Sequence, residues 1–222
     1  MKQQTVVLLS SGLDSTVNFM QARRNFGVKL AVTFQYGQRA SVREVERSRL
    51  ICERYEVSHK VIELPWLAEL TSTSLVNRNY DVPTGERLAI DDVTISQESA
   101  KAVWVPNRNG VFLNIAASIA ESIGADFVVP GFNSEEAVTF PDNSVEYLHV
   151  LDQSFSYSTL TRVKTLCFTQ NMNKKEIVLL GRELSAPFDL MWPCYFGGAE
   201  PCGECESCLR FNRAMAGAEL KR

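Results

Sequence analysis

Leu8-Leu9-Ser10-Ser11-Gly12-Leu13-Asp14-Ser15-Thr16-Val17 follows directly on an apolar run, Thr5 to Leu9, that reads as a buried strand. It then opens into a segment with apolar residues at the helical positions Leu13, Val17 and Met20. Strand, tight polar turn and helix in that order gather backbone N–H groups and the positive end of a helix dipole around one point, an arrangement suited to an anion with several oxygens. Ser10, Ser11, Ser15 and Thr16 add hydroxyls, Gly12 permits close backbone approach, and Asp14 is placed to cap the helix or face a magnesium ion. Neither G-x-x-x-x-G-K-[ST] nor G-x-G-x-x-G occurs, so the commoner nucleotide signatures are excluded. A serine-rich turn without a ligand remains the alternative on this stretch alone.

Outward from the loop, Lys29 to Gln35 reads as a second strand, a charged helix follows to about Tyr55, and His59 to Leu64 is a third strand. That alternation predicts right-handed parallel crossovers and a doubly wound α/β fold. The charges of the second helix, among them Glu44, Arg47 and Glu53, read as a solvated face. Pro65 to about Ala102 breaks the rhythm, as long functional connections do. Asn107, Arg108 and Asn109 stand at the entrance of an apolar helix from Val111 to Ile123. Asp126 to Pro130 is a fourth strand, Asp142 to Ser158 a helix and Arg162 to Phe168 a fifth strand. Asn173 to Leu184 is a helix with a capping box in Asn173 and Glu176. The expectation is a five-stranded, doubly wound parallel sheet in an α/β domain over residues 1–187, with a cysteine-bearing tail over 188–222 packed on it.

The tail places Cys194, Cys202, Cys205 and Cys208 at C-x7-C-x2-C-x2-C spacing. Four thiolates so close suit one structural tetrahedral zinc, with an iron–sulfur cluster and disulfides as the alternatives. Arg210, Arg213, Lys221 and Arg222 would offset the charge of such a site. Cys52 and Cys167 read as small core residues. Only two histidines occur, His59 and His149, both in structural contexts, so a Ser-His-Asp or Cys-His mechanism has little material.

The chain has 222 residues, a formal net charge of −3 and a pI near 5.6, so no basic face offers a general grip on nucleic acid. No apolar run approaches a membrane span and no signal-peptide pattern opens the chain, so a cytoplasmic location is expected.

The loop resembles the S-G-G-x-D-S element of the ATP pyrophosphatase (PP-loop) superfamily, with Ser11 where glycine is usual. A serine there is strained if the position requires φ > 0. Together with Tyr36-Gly37-Gln38-Arg39, Pro106-Asn107-Arg108-Asn109, Gly131-Phe132-Asn133, Phe140-Pro141-Asp142 and Trp192-Pro193-Cys194-Tyr195, the chain resembles the 7-cyano-7-deazaguanine synthases of queuosine and archaeosine biosynthesis. The resemblance implies conversion of 7-carboxy-7-deazaguanine and ammonia to the nitrile, using ATP and Mg²⁺, in a homodimer with one structural Zn²⁺ per chain.

Carried onto this sequence, it implies that Leu9 to Thr16 hold the nucleotide, with Ser10, Asp14, Ser15, Arg39 and Arg108 acting in the chemistry. It places Gln38, Asn109, Asn133, Glu135, Glu136 and Asp142 near the acceptor. Glu135 or Glu136 would read the guanine-like edge, and Arg39 or Arg108 the carboxylate. Asn143-Ser144 stands where that family has Cys-Arg, so the acceptor is the least constrained part. The alternatives are a relative that stops at the amide or adenylates another carboxylate, and a nucleotide-binding or zinc interaction module without turnover.

Overall fold

The computed structural model describes residues 2–85 and 101–219. Part of the connection expected between Pro65 and Ala102, and Lys221 and Arg222 of the tail, lie outside the described residues.

Five strands, β1 (Gln4–Leu8), β2 (Gly27–Gln35), β3 (His59–Glu63), β4 (Phe127–Val129) and β5 (Lys164–Thr165), form one parallel sheet in the order β3-β2-β1-β4-β5. The sheet is five-stranded and doubly wound, as the alternation of elements predicts. The chain winds outward from β1 to β3, returns through a long connection and continues on the other side of β1. The reversal falls between β1 and β4, and a crevice opens there at the carboxyl ends of the strands.

Helices α1 (Leu13–Asn25), α2 (Ser41–Arg54), α3 (Pro65–Glu69), α4 (Arg108–Ile123), α5 (Ser134–Ala137), α6 (Val145–Ser158), α7 (Lys174–Glu183) and α8 (Glu206–Glu219) complete the described chain. Side chains alternate across each strand, so consecutive β1 residues feed opposite cores. Val6 joins Leu113 and Ala116 of α4 and Leu151 and Phe155 of α6 on one face. Val7 joins Val17 and Phe19 of α1, Ile51 of α2 and Ile177 of α7 on the other.

The boundaries differ from the sequence reading in four places. Helix α4 starts at Arg108 rather than Val111, because Asn107 takes a left-handed turn (φ 51°) that begins the helix one turn earlier; Gly124 in the same conformation ends it. Pro141–Asn143 form a separate 3₁₀ turn, and α6 starts at Val145, capped by the Ser144 side chain, which accepts from the Tyr147 amide at 3.1 Å. Strand β5 is cut to two residues at the sheet edge. The cysteine tail contains a 14-residue helix, α8, whose Ala214 and Ala218 are buried in the core with α1 and α7. At α7 the capping box expected from Asn173 and Glu176 is present.

Candidate active site

At the carboxyl end of β1 the chain passes through Leu9–Gly12 into α1. Gly12 is the N-cap and supplies no side-chain cap, so the first-turn amides of α1 are left to an incoming acceptor. The Ser10 amide donates to Ser15 Oγ at 3.2 Å, the two hydroxyls lie 3.2 Å apart, and Ser15 Oγ donates to the Gly12 carbonyl at 3.2 Å, which curls the loop around one point. Ser11 has φ 59°, so the position does require the left-handed conformation that favours glycine. The serine is held there by its own Oγ donating to the Ser10 carbonyl at 2.6 Å and by its carbonyl accepting from the Trp192 amide at 2.9 Å. On the β4 side, a Cβ on Gly131 would lie 2.6 Å from the Ser15 nitrogen; the absence of a side chain lets the two strand ends close on the loop.

A cavity of about 290 Å³ occupies the crevice, near the lower end of the range for small-molecule sites. Its floor is the loop: Leu9, Ser10, Gly12, Leu13, Asp14 and Ser15 line it. Ser11 and Thr16 are fully buried beneath and do not.

Asp14 is buried, and its Oδ2 accepts from Lys174 Nζ at 2.5 Å and from Asn133 Nδ2 at 3.1 Å. Its Oδ1 is buried without a partner among the described residues. Burial pushes the Asp14 carboxyl up to about 6, against the pull of Lys174. The same lysine donates to Glu136 Oε1 at 2.7 Å, and the two carboxylates hold its ammonium charged against the cost of burial.

Lys174 escaped the sequence reading, although a signal was available. It stands at the first position of α7, where a cation opposes the helix dipole and therefore needs anionic partners from elsewhere.

Arg108, Asn109, Gln38, Glu136 and Asp142 also line the cavity. Among the described residues the Arg108 side chain makes two long hydrogen bonds, 3.3 Å to Tyr36 Oη and 3.3 Å to Asn109 Oδ1, which leaves its fork available to a ligand oxygen. Gln38 is fixed by accepting from the Tyr36 amide and donating to the Phe34 carbonyl and Glu44 Oε2, each at 2.9 Å.

Three expected residues are placed elsewhere. Arg39 donates to the carbonyls of Ser74, Asn77 and Tyr80 at 2.7, 3.1 and 2.6 Å; it fastens the 74–80 loop and is absent from the cavity wall, its guanidinium being taken up by carbonyls that no strand or helix pairs. Glu135 faces away, taking Arg210 at 3.2 Å, Arg213 at 3.0 Å and the Lys174 amide at 2.8 Å. Asn133 is fully buried, capping α5 and orienting Asp14 instead of facing the cavity.

Conversely, Glu44 does not lie on a solvated face. It lines the cavity, and burial pushes its carboxyl up to about 7. The remainder of α2 does carry exposed pairs, such as Arg49–Glu53 at 2.6 Å.

The cysteine sulfurs of 194, 202, 205 and 208 lie within 4.8 Å of one another, with 194, 205 and 208 buried and 202 exposed. Tetrahedral Zn–S bonds of about 2.3 Å need sulfurs about 3.8 Å apart, so the cluster fits one ion. Amides of Phe196 and Cys202 donate to Cys194 Sγ at 3.3 and 3.4 Å, and that of Cys205 to Cys202 Sγ at 3.3 Å, which favours thiolates. The cluster adjoins the site through Cys194, which lines the cavity together with Trp192, Pro193 and Tyr195. Cys52 and Cys167 are buried in the two cores, and His59 bonds Thr33 Oγ1 at 2.8 Å within the sheet. No helix among the described residues is long and apolar enough to cross a membrane.

Among known proteins, the chain is 52% identical over 219 residues to a 7-cyano-7-deazaguanine synthase of Bdellovibrio bacteriovorus, covering 98% of this chain and 95% of that relative. It is 51% identical over 215 residues to a protein of the same name from Carboxydothermus hydrogenoformans, covering 97% and 99%. Among solved structures it is similar to the NMN synthetase of Francisella tularensis, at 14% identity and a TM-score of 0.49, covering 100% of this chain and 87% of that one. The fold rests on the strand order above and not on that likeness. The family model described as queuosine biosynthesis protein QueC matches residues 4–219, and with relatives about half identical over nearly the whole length the chain belongs to that family.

Proposed function

We propose that the chain is an ATP-using synthase that converts 7-carboxy-7-deazaguanine and ammonia to 7-cyano-7-deazaguanine, as the names of its close relatives indicate. The observation that carries the reading is one cavity lined at once by the strand–loop–helix turn after β1, by Arg108 and by aromatic residues such as Phe112, Phe132 and Phe140.

A carboxylate has no competent leaving group. In this reading the substrate carboxylate oxygen attacks the α-phosphorus of ATP and pyrophosphate leaves. Ammonia then displaces AMP to give the amide, whose oxygen is adenylated in turn and departs as the nitrile forms. Ser10, Ser15 and the first-turn amides of α1 hold the phosphates, and Arg108 pairs with the carboxylate or the developing phosphate charge. Magnesium, when bound, neutralises phosphate charge; the unpartnered, buried Oδ1 of Asp14 is a fitting oxygen ligand for it. The four cysteines would hold one zinc that shapes the Trp192–Tyr195 wall. A homodimer, as the family resemblance implies, and the cytoplasmic location expected from the sequence complete the proposal.

Mass spectrometry of the products formed from ATP, magnesium, ammonium and 7-carboxy-7-deazaguanine tests it. AMP, pyrophosphate and nitrile are expected. Amide as the end product transfers the assignment to a relative that stops at that stage, and ADP as the sole nucleotide product overturns adenylation.

A further inference from the structure

On the cavity wall away from the anion loop, Trp104 and Phe140 come from separate segments, one before α4 and one after α5. Their rings lie parallel within 4°, with centroids 6.0 Å apart. A flat ligand laid against either ring is parallel to both, the geometry that aromatic stacking favours. Both rings are half-buried and end on the cavity.

Two residues beyond Phe140, Asp142 lines the same cavity, and its Oδ1 is buried with no hydrogen-bond partner among the described residues. The rest of the carboxylate is engaged by the Asn109 side chain and lies in the field of Arg108. A buried acceptor left unsatisfied is costly and calls for a donor from a ligand. The other cavity carboxylates each have a cation or amide partner. Asp14, whose Oδ1 is likewise unpartnered but lies at the loop floor, shares Lys174 with Glu136; Glu44 is tied to Gln38 and Glu206 to Arg210.

We infer that Trp104, Phe140 and Asp142 form the specificity pocket for the ring of the acceptor, with the bicycle stacked on the aromatic pair and its amidine-type N–H edge donating to Asp142. This rests on the proposed deazaguanine acid as acceptor, and it transfers the reading of the N–H edge from Glu135 and Glu136 to Asp142. Glu135 does not line the cavity and is paired with Arg210 and Arg213.

Calorimetric binding of two probes, 7-carboxy-7-deazaguanine and its counterpart lacking the 2-amino group, tests the inference without requiring turnover. The wild type is expected to prefer the amino-bearing acid by roughly 10- to 100-fold, the range for a charge-assisted hydrogen bond. Asp142→Asn should reduce that preference to within about threefold by weakening the amino-bearing probe alone, whereas Trp104→Leu should weaken both probes by a similar factor, roughly tenfold for a lost stacking surface. A preference that survives Asp142→Asn, a wild type that binds both probes equally, or a Trp104→Leu protein that binds both as the wild type does would overturn it. Should the wild type discriminate in this way and yet form no nitrile, the proposed reaction falls and the ring pocket stands. A wild type that binds neither probe removes both.

Discussion

Glu44 provides a test of the site's electrostatics that needs no substrate. Its carboxyl is pushed up from 4.5 to about 7 by burial, the dominant cause, with Gln38 and Arg108 opposing. A folded-state value above the unfolded one means that the native state binds the proton more tightly. The contribution to stability is therefore complete below 4.5 and is lost as the pH rises through 7. The size is about 3 kcal/mol as an upper bound, from a shift of roughly two and a half pH units at 1.36 kcal/mol each. Glu44→Gln keeps a carbonyl oxygen to accept from Gln38 Nε2, which lies 2.9 Å from the native carboxylate, and removes the titration.

In urea melts at pH 8 the variant should exceed the wild type by up to about 3 kcal/mol, a midpoint shift on the order of 1 M, and the two should converge near pH 4.5. Asp14 titrates in the same direction, from 3.8 to about 6, and persists in the variant. Some pH dependence below 6 should thus remain while that around 7 disappears. Parallel stability curves for the two proteins across pH 5 to 8 would refute the burial of Glu44 as its cause.

Lys174→Met leaves Asp14 and Glu136 buried without their shared cation and should cost about 3–5 kcal/mol; adding Asp14→Asn should recover part of it in a double-mutant cycle, and strict additivity would deny the pair. Ser11→Gly removes the strain of φ 59° together with the 2.6 Å bond from Ser11 Oγ to the Ser10 carbonyl. Strain and hydrogen bond are each about 1 kcal/mol, so the melting temperature should move by only a few degrees, and a large loss would show that the serine is not strained. One zinc per chain is expected by emission spectroscopy, and Cys205→Ser should abolish it. Because Trp192 to Tyr195 form one wall of the cavity, chelation should weaken ATP binding as well as the fold; iron with sulfide, or unchanged ATP affinity after metal loss, would contradict this.

Local chemistry alone made the fold legible. The apolar run of β1, the small-residue turn and the helical spacing of α1 each report through neighbours in the chain, and their alternation with later strands fixes a parallel, doubly wound sheet. The strand–turn–helix at Leu9–Gly12, the cysteine cluster and the capping box of α7 are likewise sequence-local, and each appears where the residues put it. What escaped depended on which elements face one another. Arg39 and Glu135 have the right chemistry for the site, but one is spent on the loop carbonyls of Ser74, Asn77 and Tyr80 and the other on two arginines from α8. Lys174 meets Asp14 across 160 positions of sequence, and Glu44 is turned into the cavity against Gln38 while neighbours on its own helix remain in solvent. Periodicity records which side of an element is apolar, whereas the partner of a charge is set by packing between distant segments, so the site's ion pairs and shifted carboxyls were decided by the tertiary structure alone.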